Sequence, residues 1–137
     1  MPVPPLPPPA LELLRQANPA VIAVLMPDGQ PMSVATWYLL EDDGRVLLNM
    51  DAERARVDWM RRDGRVSLTV LDASAWYTHV SVRGRIVQWR DDPDLVDIDR
   101  LSRHYGGQAY RNRDRARVSA LLEIEYWHGW GAMSATG

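Results

Sequence analysis

Two arginines set at the end of a strand are the residues in this chain best placed to do chemistry. In Asn49 to Leu71, NMDAERARVDWMRRDGRVSLTVL, Arg54 and Arg56 follow residues patterned as a strand end and open a short Arg-rich helix. A helix N-terminus presents unpaired backbone N–H groups, and guanidinium forks beside it favour a phosphate or carboxylate. The bland alternative is a solvated helix face in which Arg54 and Asp58 form an i,i+4 pair, an arrangement contributing only ~0.3–0.5 kcal/mol. Composition alone favours that bland reading, and the position just past a strand end speaks for an anion. All sixteen basic side chains other than histidine are Arg, because the chain has no Lys. Arginine as such is therefore uninformative, Schiff-base chemistry is removed, and only clustered Arg carries meaning.

The aromatic residues suggest a companion to that cation pair. Six Trp and five Tyr with no Phe favour half-buried places, since both side chains join a large apolar surface to a polar tip. Trp37 and Trp76 are the better cleft residues, and Trp59 and Trp89 read as core. Tyr77 and His79, two apart on an expected strand, are the candidate proton donors. His79, His104 and His128 lack metal-ligand spacing, and the absence of cysteine excludes disulfides, thiolate ligands and Cys nucleophiles. No metal site is expected. Nucleophile elbow, Walker loop and dinucleotide fingerprint are all missing, so hydrolase and kinase readings fall away.

The elements that must position these residues follow from hydrophobic period and turn chemistry. With 137 residues, 46% hydrophobic and 25% charged, and a net charge of -2, the chain suits one globular domain and gives no reason to expect nucleic acid as partner. No apolar run reaches membrane-span length and no signal-like start precedes the domain, so a cytoplasmic protein is expected. Residues 1–10, MPVPPLPPPA, read as a Pro-rich arm ahead of a single domain over 11–137. The patterning predicts a helical turn at 11–16, strands over 20–26, 32–40 and 45–50, and a helix over 52–62 with Asp51 as N-cap. Strands follow over 65–71 and 76–89, the latter interrupted by Gly84, a bulge or a close backbone approach. A helix over 91–105 with Pro93 in its first turn, a polar Arg-rich connection and a strand over 118–127 complete the chain. Six strands, mostly antiparallel, with inserted helices point to a small barrel.

Four segments in this order, PMSVATWY (31–38), RARVDWMRRDGRVSLTV (54–70), VSVRGRI (80–86) and WHGWG (127–131), resemble the pyridoxamine 5'-phosphate oxidase-like superfamily. More narrowly, the chain is similar to the actinobacterial flavin/deazaflavin oxidoreductases that use coenzyme F420. The resemblance implies a mainly β fold with inserted helices, a six-stranded antiparallel split β-barrel, acting as a homodimer with the cofactor between barrels. It implies that Arg54 and Arg56 grip the cofactor phosphate. It places the ring along Met32, Ser33, Val34, Ala35, Trp37, Asn49 and Met50, and draws Trp76, Tyr77 and His79 from the other subunit. The activity implied is hydride transfer from reduced F420 to a small electron-poor organic substrate. An FMN-dependent oxidase or reductase, or a flavin-binding protein without turnover, are the alternatives. F420 carries a tail of several carboxylates, so a wider basic rim including Arg61 or Arg62 suits it better than FMN.

Overall fold

The computed structural model describes residues 4–136. Its elements are α1 (Pro8–Arg15), β1 (Ala20–Leu25), β2 (Pro31–Thr36), β3 (Leu39–Leu40), β4 (Val46–Asp51), α2 (Ala55–Arg62), β5 (Arg65–Leu71), β6 (His79–Asp91), α3 (Val96–Gly106), β7 (Arg117–Trp130) and a closing 3-10 turn, Gly131–Thr136. All strand pairs are antiparallel, in the order β2-β1-β5-β6-β7-β4-β3. β2 and β3 are consecutive in the chain yet stand at opposite edges of that order. Only Trp37 and Tyr38 join them, a link of no more than about 11 Å when fully extended. The sheet must therefore curl until its edges meet, which makes a barrel split between β2 and β3.

Seven strands stand where six were expected, because the 32–40 run breaks at Trp37-Tyr38. Tyr38 turns fully inward and its hydroxyl donates to the Gln16 carbonyl at 2.8 Å, fixing the corner. Alternation explains the barrel interior: Ile22, Val24, Leu68, Val70, Val80 and Val82 point in, while their strand neighbours point out. β4 and β7 instead carry continuous buried runs, Val46–Leu48 and Val118–Leu122. Their second face is covered by α3, whose Ile98 and Leu101 meet Leu47 and Leu121 in a separate apolar cluster.

Three element starts differ from the sequence expectation. α1 begins at Pro8, since proline fits a first helical turn, and buries Ala10 completely; residues 1–3 of the Pro-rich stretch lie outside the described residues. Asp51 does not cap α2, which starts at Ala55 with Arg54 as N-cap; its carboxylate accepts the Glu53 N–H and the Arg115 guanidinium. Pro93 likewise precedes α3 rather than entering it, and the Asp92 carboxylate accepts the N–H groups of Asp97 and Ile98. Among the described residues no helix is long and apolar enough to cross a membrane.

Candidate active site

The split in the barrel leaves a cleft of about 650 Å³, within the ~300–1,000 Å³ usual for small-molecule sites. Its aromatic wall is built from distant elements. Trp37, at the β2–β3 corner, stacks on Tyr105 of α3 with ring centroids 5.4 Å apart and planes 13° from parallel. Tyr110, on the connection after α3, meets Trp37 edge-on at 6.2 Å. The Tyr105 hydroxyl donates to the Asn18 carbonyl at 2.8 Å and receives the Tyr38 N–H, tying α3 to the corner. Burial pushes that phenol up to about 12, so it is a poor acid near neutrality. Ala35, Thr36, Ile98 and Leu101 supply the smaller apolar lining.

At one end the cleft turns cationic. Arg56 and Arg117 line it and continue into a polar bay of about 500 Å³ that also holds Arg54 and Arg115. Arg56 is half-buried and has no hydrogen-bonded or ion-paired partner among the described residues. Its own burial, then the like charges of Arg54 and Arg117, hold the guanidinium below its ordinary pKa. A cation desolvated beside two others without a counter-ion is stabilised by any anion that enters. No ion pair joins Arg54 to Asp58 among the described residues, so the solvated-pair reading of this helix finds no support.

The expected site residues divide sharply. Ala35, Trp37, Asn49 and Arg56 come together on the cleft, and Arg54 and Met50 reach the adjoining bay. Met32 and Val34 turn their side chains into the core, since they alternate with Ser33 and Ala35 on β2. Ser33 lies on the outer sheet face, opposite Ala23 of β1. The Arg61 guanidinium sits over the Trp89 ring at 4.4 Å and does not line the cleft of this chain. Trp76 and Tyr77 lie in the turn before β6 rather than within a strand, 71% and 60% exposed. His79 begins β6, stacked on Trp130 at 6.0 Å with its Nδ1 2.8 Å from the Tyr77 carbonyl oxygen. These three form an exposed aromatic cluster outside their own chain's cleft. Tyr105, Tyr110 and Arg117 were missed from sequence: Tyr105 closed an expected helix, and Tyr110 and Arg117 fell in the Arg-rich stretch read as a polar connection.

Known proteins share this architecture. An F420 reductase is 21% identical, with 89% of this chain and 98% of that one covered at a TM-score of 0.81. A conserved hypothetical protein from Mycobacterium tuberculosis is 22% identical over 90% and 83% of the two chains, TM-score 0.68. General Stress Protein 26 from Bacillus anthracis is 11% identical over 88% and 90%, TM-score 0.66. At these identities the likeness concerns the fold. No curated protein matches in sequence. The family model described as pyridoxamine 5'-phosphate oxidase matches residues 6–131, nearly the whole chain. Matched by that model over nearly its whole length, the chain belongs to the pyridoxamine 5'-phosphate oxidase family, an oxidoreductase family.

Proposed function

We propose that the chain is a cytoplasmic F420-dependent oxidoreductase that passes a hydride to a small electron-poor organic substrate. The observation that carries this reading is Arg56: an uncompensated, half-buried cation at the end of an aromatic cleft fits a planar ring ending in a phosphate. The deazaflavin ring supplies the hydride chemistry when bound. The rest falls to the chain. Trp37 and Tyr105 offer a flat wall against which a ring is oriented, Ile98 and Leu101 exclude water, and Arg56 fixes the anionic end. The F420 reductase of the same architecture supports the choice of cofactor. FMN shares the ring and phosphate and is the nearer alternative.

We place the site in a homodimer. Around Val21, the outward residues of β2, β1, β5 and β6 are small (Ser33, Ala35, Ala23, Ser67, Thr69 and Ser81), so a second copy can approach closely. Ala35 belongs to both that face and the cleft, so a partner there covers the cleft mouth. The Trp76, Tyr77 and His79 cluster borders the same face through the row Leu71, His79, Trp130, which suits a contribution to the partner's site.

Titration of the purified protein with F420 and with FMN, followed by Trp quenching, tests the reading. Tight F420 binding that falls at least ~10-fold in Arg54→Ala/Arg56→Ala supports it; equal binding by the double variant removes the phosphate assignment. One observation favours a second reading, that of a binding protein without turnover: the ionisable groups on the cleft are two tyrosines and two arginines, and Tyr105 holds its proton tightly. Stopped-flow oxidation of bound reduced F420 across enone, quinone and nitro acceptors decides, since binding with no oxidation by any of them favours the carrier.

A further inference from the structure

Three residues, Arg56, Tyr110 and Arg117, line both the aromatic cleft and the outer bay, whereas Arg54, Arg115 and Asn112 line the bay alone. The shared three form a neck. Arg117 is the first residue of β7, and its guanidinium is aimed rather than loose. Its Nε donates to Asn49 Oδ1 at 2.7 Å and its face lies over the Tyr110 ring at 4.8 Å, which leaves the two terminal nitrogens for a ligand. Asn49 cannot turn over. Its amide nitrogen donates to Asp92 Oδ2 at 3.1 Å and to Ser119 Oγ at 2.9 Å, and that hydroxyl donates to Asp97 at 2.7 Å. Buried acids at the start of α3 thus dictate which way an arginine at the cleft points. Farther out, Arg115 leans on Asp51 at 3.1 Å and Arg54 has no ion pair among the described residues. The bay lining carries four guanidiniums against two carboxylates, Asp51 and Glu53.

We infer that the anion site has two zones in series. Arg56 and Arg117, the latter positioned by Asn49, hold the first anionic group at the neck; Arg54 and Arg115 hold a second one beyond it. The ligand is then a planar ring followed by two successive acidic groups. This rests on the function proposed above and deepens it, moving Arg54 from the inner phosphate to the outer group and giving Arg117 a binding role. FMN ends at one phosphate and fills the neck alone. F420 continues from its phosphodiester to carboxylates and fills both zones.

Dissociation constants for riboflavin, FMN, the phosphate-free ribityl deazaflavin and F420, measured by Trp quenching, separate the zones. Losing one charge-assisted contact, ~1.5–3 kcal/mol, corresponds to about 10- to 100-fold. Arg117→Gln is expected to weaken FMN and F420 by that factor while leaving the two phosphate-free ligands within about 3-fold of wild type. Asn49→Ala shifts the same ratio in the same direction by less, which a general loss of fold, weakening all four alike, does not reproduce. Arg54→Gln/Arg115→Gln weakens F420 about 10-fold and spares FMN. An unchanged FMN-to-riboflavin ratio in Arg117→Gln, or a double variant that weakens FMN as much as F420, overturns the two-zone assignment and leaves the proposed function standing. Wild-type protein that binds neither FMN nor F420 sinks both.

Discussion

Tyr105 shows how a single residue serves both cleft and stability. Burial outweighs the hydrogen bond from Tyr38 and raises its phenol from 10.0 in the unfolded chain to about 12. Between those two values the folded state holds a proton that the unfolded state has released, so stability is intact below pH 10 and falls as pH rises toward 12. Tyr38, buried beside Tyr105, is displaced upward too and acts in the same sense. The urea midpoint is expected to decline from pH 10 upward. Tyr105→Phe should make that decline shallower, at a cost of ~1 kcal/mol near neutrality for the lost hydroxyl contacts; an equally steep decline in the variant would refute the assignment. At this scale the sequence pointed to Arg56 by its place just past a strand end and to Trp37 by its large apolar ring with a polar tip, and both line the cleft. Tyr105, Tyr110 and Arg117 escaped because their place depends on α3 and β7 closing over the split from the far end of the chain.

Among the elements, β6 carries the sharpest constraint. Gly84 interrupts its pairing with β7, where the register shifts, and a Cβ there would run into the Glu123 carbonyl oxygen and stand 2.8 Å from its carbonyl carbon. Both are backbone atoms of a central strand, so the ladder itself would have to move. Gly84→Ala is expected to destabilise the fold by roughly 2 kcal/mol or more, read from denaturant midpoints at unchanged m-value; Gly106→Ala, with open space around it, is the matched control. That bulge was legible because a glycine inside an alternating run is a local signal. Where α2 and α3 begin was not: Asp51 resembles a local cap until Arg115, more than forty residues away in sequence, claims its carboxylate, and Asp92, bonded to Asn49, accepts the first N–H groups of α3 from outside the helix, which leaves Pro93 ahead of it. The break between β2 and β3 was hidden for a similar reason: Trp37-Tyr38-Leu39-Leu40 reads as one apolar strand, and only the inward turn of Tyr38 onto Gln16 makes it a corner.

For the whole molecule, the covering of one sheet face and not another bears on the proposed dimer. α3 shields β4 and β7, yet among the described residues no helix covers the outward residues of β1 and β5, and Val21 at their centre is 38% exposed. Charges collect at one rim (Arg65, Arg83 and Arg85 with Glu125) and aromatics at the other (Trp76, Tyr77 and Trp130). A small-residue centre with polar and aromatic borders suits an isologous contact, in which each rim meets its counterpart's opposite rim across a two-fold axis. Under the proposed dimer, Ala23→Arg/Ser67→Arg places two cations at the middle of that contact while both positions remain open to water in the monomer. Sedimentation at micromolar concentration is expected to show a dimer for the wild type and a monomer for the variant, with an unchanged far-ultraviolet circular dichroism spectrum. Because the cleft opens beside the same face, F420 affinity should fall when dimerisation is lost, even though neither substituted residue lines the cleft. A wild-type monomer that binds F420 fully would show instead that one chain's Trp37, Tyr105 and Arg56 suffice.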